Sequence, residues 1–312
     1  MAPWLIGHVS DEWDAALADV LVEMVPADGS PPVATRSRAS GAVWADLPAG
    51  RCEVILARTG YGSKRSSVTC DPAHPLRLRL LSDGLLGYVW PKCATAGAMA
   101  ELRIHADAPY ELSLWRYGWE RECVADLGRF DPYSPDGLRQ VLPDGDIAAV
   151  GVQWGDDELT ADPRHFVAAP QRSGLYYWHL QALDGRFTSF PWVVAPAQPR
   201  ERVAVLASNI TWNAYNDFGG RSNYLAPDRL PPTPSVFTKH EEVWFSHPER
   251  PPWRGQDCGP LSFDRPEPLN VTEPEDAITD PIRRRGGEHV APAEWRLLGW
   301  LEREGFAHDL YG

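Results

Sequence analysis

The chain has 312 residues and a formal net charge of -13 at pH 7; that length exceeds one core of ordinary size and predicts two or three domains. A composition of 43% hydrophobic and 23% charged residues is that of a globular protein, not a disordered one. The acidic balance excludes nucleic acid as a partner, because phosphates require clustered Lys and Arg, and no apolar run approaches the roughly 18 residues of a membrane helix.

The five cysteines, Cys52, Cys70, Cys93, Cys123 and Cys258, show no C-x-x-C spacing. An odd, scattered count fits a reducing compartment better than a disulfide framework. The N-terminus has no basic stretch before a long apolar run, so no signal peptide is evident. A cytoplasmic protein is expected.

Residues 1–80 read as a β-sandwich. Ala18, Val20, Val22 and Met24 alternate with Leu21, Glu23 and Val25, the period of a half-buried strand. Leu76, Leu78 and Leu80, with Arg77 and Arg79 between them, repeat that period and close the module. Residues 81–196 continue as a second β-sandwich, in which LRIHA, YELSLWRYG and AAVGVQW are strand-length runs. Tyr176–Leu183 and Arg186–Val194 flank Asp184-Gly185, the signature of a hairpin. His105 and His179 fall in strand patterns, where a hydrogen-bonded sheet histidine is expected. The Pro-rich APAQPRE, Ala195–Glu201, marks a linker.

From residue 200 the character changes. Val203-Ala204-Val205-Leu206-Ala207 is an apolar run suited to a parallel strand covered on both faces. It breaks into a loop carrying Ser208, Asn209, Thr211, Trp212, Asn213, Tyr215 and Asn216, followed by Gly219-Gly220-Arg221 and Tyr224. In open α/β sheets ligands bind outside the carboxyl ends of strands, so this loop is the expected site. A helix is expected from Pro292 to Glu304, with Trp295, Leu298 and Leu301 on one stripe and Gly305 ending it. Phe306–Tyr311 should form a second strand, parallel to the first. One strand–helix–strand unit does not complete a doubly wound sheet, so this domain is expected to be incomplete at its C-terminus, with apolar sheet surface left open.

Other residues carry weaker chemistry. Gly219-Gly220-Arg221 lacks the G-x-x-x-x-G-K-[ST] pattern of a phosphate loop and reads as a tight turn. His240 and His247, with Glu241 and Glu242 between them, resemble a metal cluster but lack helical spacing. Arg283-Arg284-Arg285 reads as a solvated loop. Ser208 lacks the glycines of a nucleophile elbow, and Cys258 in QDCGP reads as structural.

The run TWNAYN followed by GGRSNY, directly after VAVLASN, resembles the large (beta) subunit of N,N-dimethylformamidase and its relatives. LSFDRPEPLN (Leu261–Asn270) and EWRLLGWLEREGFAHDLYG (Glu294–Gly312) resemble further segments of that family. GYVWPKCATAG, ELSLWRYG and SGLYYWHLQALDGRFTSFPWVV resemble its β-rich region. Residues 1–80 resemble transthyretin-like or carboxypeptidase-regulatory-like modules at Leu47–Val54 and Gly60-Tyr61. The resemblance implies a third domain, residues 200–312, that opens a class I glutamine-amidotransferase-like α/β fold.

It also implies a hydrolase that cuts the C–N bond of a small amide with iron (Fe3+) held by tyrosinate and carboxylate oxygens. Those hard anionic ligands suit the metal, which would activate a bound water. Tyr215 matches the family's first ligand position. After SFDRP the amidase has a second Tyr; here Glu267 stands there, which changes the ligand set. The family's carboxylate ligand and acid/base residues are expected past Gly312, so no catalytic residue is carried over. Asn209, Asn213 and Asn216 would orient substrate or a water beside the metal, although Asn is also a common turn residue. Expected partners are a small-molecule amide and either a second copy or a small accessory subunit. The alternative is a non-catalytic β-sandwich binding or scaffold protein with a degenerate α/β remnant.

Overall fold

The computed structural model describes residues 2–133, 140–154, 165–236, 258–272 and 290–312. His240, Glu241, Glu242, His247 and Arg283–Arg285 lie outside the described residues. The chain divides into two compact units, each assembled from three stretches. The first comprises Met1–Asp83, Val141–Val152 and Asp217–Ser262; the second comprises Gly84–Gln140, Gln153–Asn216 and Phe263–Gly312.

In the first unit the strands are β1 (Trp4–Ser10), β2 (Leu21–Pro26), β3 (Val33–Arg36), β4 (Ala42–Ala45), β5 (Gly50–Arg58), β6 (Gly62–Cys70) and β7 (Leu76–Arg79). They form two sheets of order β4-β1-β7 and β3-β2-β5-β6. Strand β2 buries every second residue, Val22, Met24 and Pro26, as a pleated strand with one face on a core must. Both sheets supply that core: Ile6, Val9, Val43 and Leu78 from one, Val22, Met24, Val54 and Leu56 from the other. This is sheet-on-sheet packing.

Strand β7 departs from the simple alternation expected of it, because Arg79 is fully buried. Its guanidinium is satisfied by carbonyls from three separate stretches: Nη1 donates to Asp11 at 2.9 Å, Nε to Gly145 at 2.8 Å and Nη2 to Gly219 at 3.0 Å. A buried charge persists only when its hydrogen bonds are met this way.

AAVGVQW is not a strand. Ile147–Val150 is a single helical turn, α1, whose cap Asp146 accepts the Ala149 N–H through Oδ1 at 3.2 Å. Gly151, at φ +86, ends it. The capping aspartate and the left-handed glycine outweigh the β-branched residues, which are too few to set a strand.

In the second unit β8 (Leu85–Trp90), β10 (Met99–Ala106) and β13 (His165–Ala168) make one sheet. The other joins β9 (Cys93–Thr95), β11 (Tyr110–Tyr117), β12 (Arg121–Phe130), β14 (Gly174–Ala182) and β15 (Phe187–Ala195) in the order β12-β11-β14-β15-β9. They share a core that includes Val89, Leu102, Ile104, Leu112, Trp178 and Trp192. The β14–β15 hairpin turns at Asp184-Gly185, with Gly185 at φ +95.

The same unit holds β16 (Val203–Leu206), α2 (Asn209–Tyr215), α3 (Val290–Arg303) and β17 (His308–Tyr311). Strands β16 and β17 pair in parallel, Val203 opposite His308 and Leu206 opposite Tyr311. Helix α3 starts at Val290, before the expected Pro292, which sits in its first turn. It buries Trp295, Leu298 and Leu301. Gly305, at φ +77, closes it: Phe306 N–H reaches the Leu301 carbonyl at 2.8 Å and Gly305 N–H the Glu302 carbonyl at 3.0 Å, the pairing of a Schellman motif. The molecule is thus mostly β, in several sheets, with short helices.

Candidate functional site

The segment after β16 is helical rather than a loop. Helix α2 is too short to be stable on its own, and it is held from outside. Glu294 of α3 accepts the Ser208 backbone N–H at 2.7 Å and the Trp212 indole N–H at 3.1 Å through Oε1. Burial pushes the Glu294 carboxyl pKa up, against the bonds from Ser208 and Trp212. A carboxylate at the start of a helix also offsets its unpaired N–H groups and dipole.

Helical spacing then sorts the candidate residues. Asn213 and Asn216 point inward and are buried. The Asn213 carbonyl and Oδ1 accept from Arg265 Nη2 at 3.3 and 3.2 Å, and Asn216 Nδ2 donates to the Pro266 carbonyl at 2.8 Å. Asn209 is half-buried and donates through Nδ2 to the Cys93 Sγ at 3.3 Å. Tyr215, also half-buried, packs against an apolar cluster that includes Tyr117, Trp212, Ala291 and Trp295. The structure therefore brings Asn213 and Asn216 onto the segment that carries Glu267, while Asn209 and Tyr215 keep part of their surface open.

The segment Phe263–Glu267 is fixed along its length. Asp264 accepts from Tyr88 and, at 2.6 Å, from Arg103 Nη1; burial, followed by the charge of Asp264, drives the Tyr88 phenol well above its ordinary pKa. Arg265 is fully buried. Glu267 is 5% exposed, and both of its oxygens are engaged: Oε1 lies 2.7 Å from the Lys92 ammonium, and Oε2 accepts from Asn270 Nδ2 at 3.0 Å. Lys92 donates as well to the Arg265 carbonyl at 2.7 Å. Burial lowers the Lys92 pKa, and Glu267 opposes that shift. Asn270 in turn accepts the Ala291 N–H at 3.1 Å, joining the segment to the start of α3.

Lys92, Arg265, Asn270 and Glu294 carry as much of this geometry as the asparagines singled out in sequence. Lys92 and Arg265 lay inside quoted motifs, but nothing local marks them as partners of residues far along the chain. Gly219-Gly220-Arg221 is a tight turn within the first unit. Gly219 N–H donates to the Glu12 carbonyl at 2.7 Å, and a Cβ on Gly220 would collide with the Asp14 side chain. Arg221 Nε donates to Asp146 Oδ2 at 2.9 Å. Cys258 is exposed, and all five cysteines are free thiols.

The two sheet histidines are satisfied by neighbours. His105 Nδ1 accepts the Gln140 N–H at 3.1 Å. His179 sits 2.8 Å from the Tyr117 hydroxyl, which is also 2.8 Å from Thr272 Oγ1; burial lowers the His179 pKa to about 3, so the ring is neutral.

Of the two expected iron ligands, Glu267 does not fit the role, because an ammonium already neutralises it and no oxygen is left without a donor. Among the described residues no group of three or more His, Cys, Asp and Glu is arranged to hold a metal ion, and no helix is long and apolar enough to cross a membrane.

Among solved structures, the chain is similar to a DUF3823 family protein from Parabacteroides merdae at 14% identity and a TM-score of 0.21, covering 62% of this chain and 98% of that one. It is also similar to the Bacteroides ovatus mixed-linkage glucan utilization protein SGBP-B, solved with a heptasaccharide, at 10% identity and a TM-score of 0.17, covering 66% of this chain and 51% of that one. No curated protein matches the chain. The family model described as N,N-dimethylformamidase beta subunit-like, C-terminal, matches residues 113–312, and the chain belongs to that family.

Proposed function

We propose that this protein is a hydrolase acting on the C–N bond of a small amide, with its binding face on α2. The observation that carries this reading is the pair Asn209 and Tyr215. Both are half-buried on a helix that starts directly after β16, at the carboxyl end of a parallel strand pair, where α/β folds bind ligands. Buried Asn213 and Asn216 hold that helix against Phe263–Glu267. In this reading the Asn209 amide at the start of α2 and the Tyr215 side chain at its end contact different parts of the substrate and position it for attack by water.

We propose further that β16, α3 and β17, which lie within the second unit, open a class I glutamine-amidotransferase-like fold. A cytoplasmic setting and association with a second copy or a small accessory subunit accompany the reading.

The test is amine release from formamide, N-methylformamide, N,N-dimethylformamide and acetamide by the full chain. Tyr215→Phe and Asn209→Ala should each lower kcat/KM at least about tenfold, equivalent to about 1.4 kcal/mol. A chain that binds none of these amides and releases no amine fails the reading. The non-catalytic alternative, a binding or scaffold protein, then takes its place. It is favoured by one observation: Asn213 Oδ1 is engaged by Arg265, both Glu267 oxygens by Lys92 and Asn270, and Asn270 Oδ1 by the Ala291 backbone.

A further inference from the structure

We propose that the Lys92 ammonium is the resident cation of the Glu267 site, and that this chain binds no metal ion through Glu267. The position after Phe263-Asp264-Arg265-Pro266 holds a carboxylate, and the fold delivers a fixed positive charge to it. Lys92 follows β8 and its side chain is only 12% exposed. It meets Glu267 Oε1 at 2.7 Å and the Arg265 carbonyl at 2.7 Å, with its charge also over the Tyr88 ring at 5.6 Å from the centroid. The second oxygen of Glu267 is taken by Asn270, whose own Oδ1 is taken by the Ala291 N–H.

A metal ion seeking Glu267 would therefore have to displace the ammonium, break the Asn270 bond, or share the carboxylate with a second cation at close range. The first leaves a lysine in a largely buried place without its counter-charge. The second loosens the Asn270 side chain, whose Oδ1 accepts the Ala291 N–H at the start of α3. The third sets like charges together where water screens them poorly. Removing either member of such a pair leaves the other uncompensated, whereas removing both leaves no net charge behind. The inference concerns what neutralises Glu267 and does not depend on whether the chain hydrolyses amides.

The experiment uses the full chain expressed in iron-replete medium. Element analysis, visible absorption for a phenolate-to-iron band, and thermal denaturation with and without added Fe2+ or Zn2+ are measured on wild type, Lys92→Met, Glu267→Gln and Lys92→Met/Glu267→Gln. The expected result is a wild type whose metal content and metal response do not change on Glu267→Gln. Lys92→Met should lower Tm, and the double variant should recover most of the loss. Should Lys92→Met fail to fold, Lys92→Arg, which keeps the charge, is expected to retain the wild-type Tm far better than Lys92→Gln. Iron that survives Glu267→Gln supports the inference, since other residues then hold it. Stoichiometric iron that is lost with Glu267→Gln overturns it. So does a Lys92→Met chain as stable as wild type, because the ammonium would then not be what neutralises Glu267.

Discussion

At the scale of single residues, two buried ionisable groups set opposite pH responses. Asp11, buried in the first unit, has its pKa raised to about 7, first by burial and then by the charge of Glu12, against its bonds from Ala15 and Trp13. Its folded pKa lies above its unfolded value, so its ionisation above about pH 4 weakens the fold progressively until about pH 7. Asp11→Asn keeps an Oδ1 acceptor for the Trp13 and Ala15 N–H groups, both at 2.8 Å, and removes the charge. It should raise stability at pH 8 by the order of 1–3 kcal/mol and have little effect at pH 4, as read by urea denaturation at both pH values. His179 behaves in the opposite sense. Its folded pKa of about 3 lies below the ordinary value of 6.5. The unfolded chain therefore takes up the proton first, and stability is lost as pH falls from about 6.5 towards 3, at up to about 1.4 kcal/mol per pH unit. His179→Gln should flatten that slope. An unchanged slope would place the titrating group elsewhere.

At the scale of elements, α2 depends on a residue distant in sequence. Glu294→Ala removes the acceptor for the Ser208 N–H and the Trp212 indole N–H. The expected cost is about 1–2 kcal/mol, as for loss of a helix cap, together with faster amide hydrogen exchange across Asn209–Tyr215 than across β14. The same dependence explains what could be read in advance. The β14–β15 hairpin and α3 carry local signals: an Asp-Gly turn in one, a Trp295–Leu298–Leu301 stripe ended by Gly305 in the other. The β16–β17 pairing followed from an apolar run and the crossover rule. Helix α2 had no such signal, because seven residues hold too little periodicity and Glu294 lies 86 residues beyond Ser208. The candidate site stood out as a dense polar motif, in which Asn209 and Tyr215 are half-buried. That Asn213 and Asn216 turn inward could not be seen, since their partners, Arg265 and the Pro266 carbonyl, are fixed only by tertiary structure. AAVGVQW misled for a related reason: alternation over a few residues yields to a cap at Asp146 and a glycine at Gly151.

At the scale of the whole molecule, the units are discontinuous in sequence, and the first cannot be completed by its N-terminal stretch. Residues 1–83 contain both of its sheets, yet they also contain buried and half-buried charges, some of whose partners come later. Lys64, 8% exposed, pairs with Asp144 at 2.6 Å. Arg79, fully buried, needs the Gly145 and Gly219 carbonyls as well as Asp11 and Asp14. Arg77 pairs with Asp14 at 2.7 Å and donates to the Pro231 carbonyl. A fragment ending at Asp83 would keep the hydrophobic sandwich core but strand these cations. Each buried group left without a partner costs about 1–3 kcal/mol, more when charged, which is a large share of the 5–15 kcal/mol that holds a domain together. The isolated fragment 1–83 is therefore expected to be poorly folded, with broad amide proton signals and no cooperative urea transition. Replacing Lys64 and Arg79 by Met in that fragment should restore a measurable transition. In the full chain Arg79→Met should instead destabilise the first unit, because the carbonyls of Asp11, Gly145 and Gly219 lose their donor together. A wild-type fragment 1–83 that unfolds cooperatively would show that the sandwich core suffices without the later stretches.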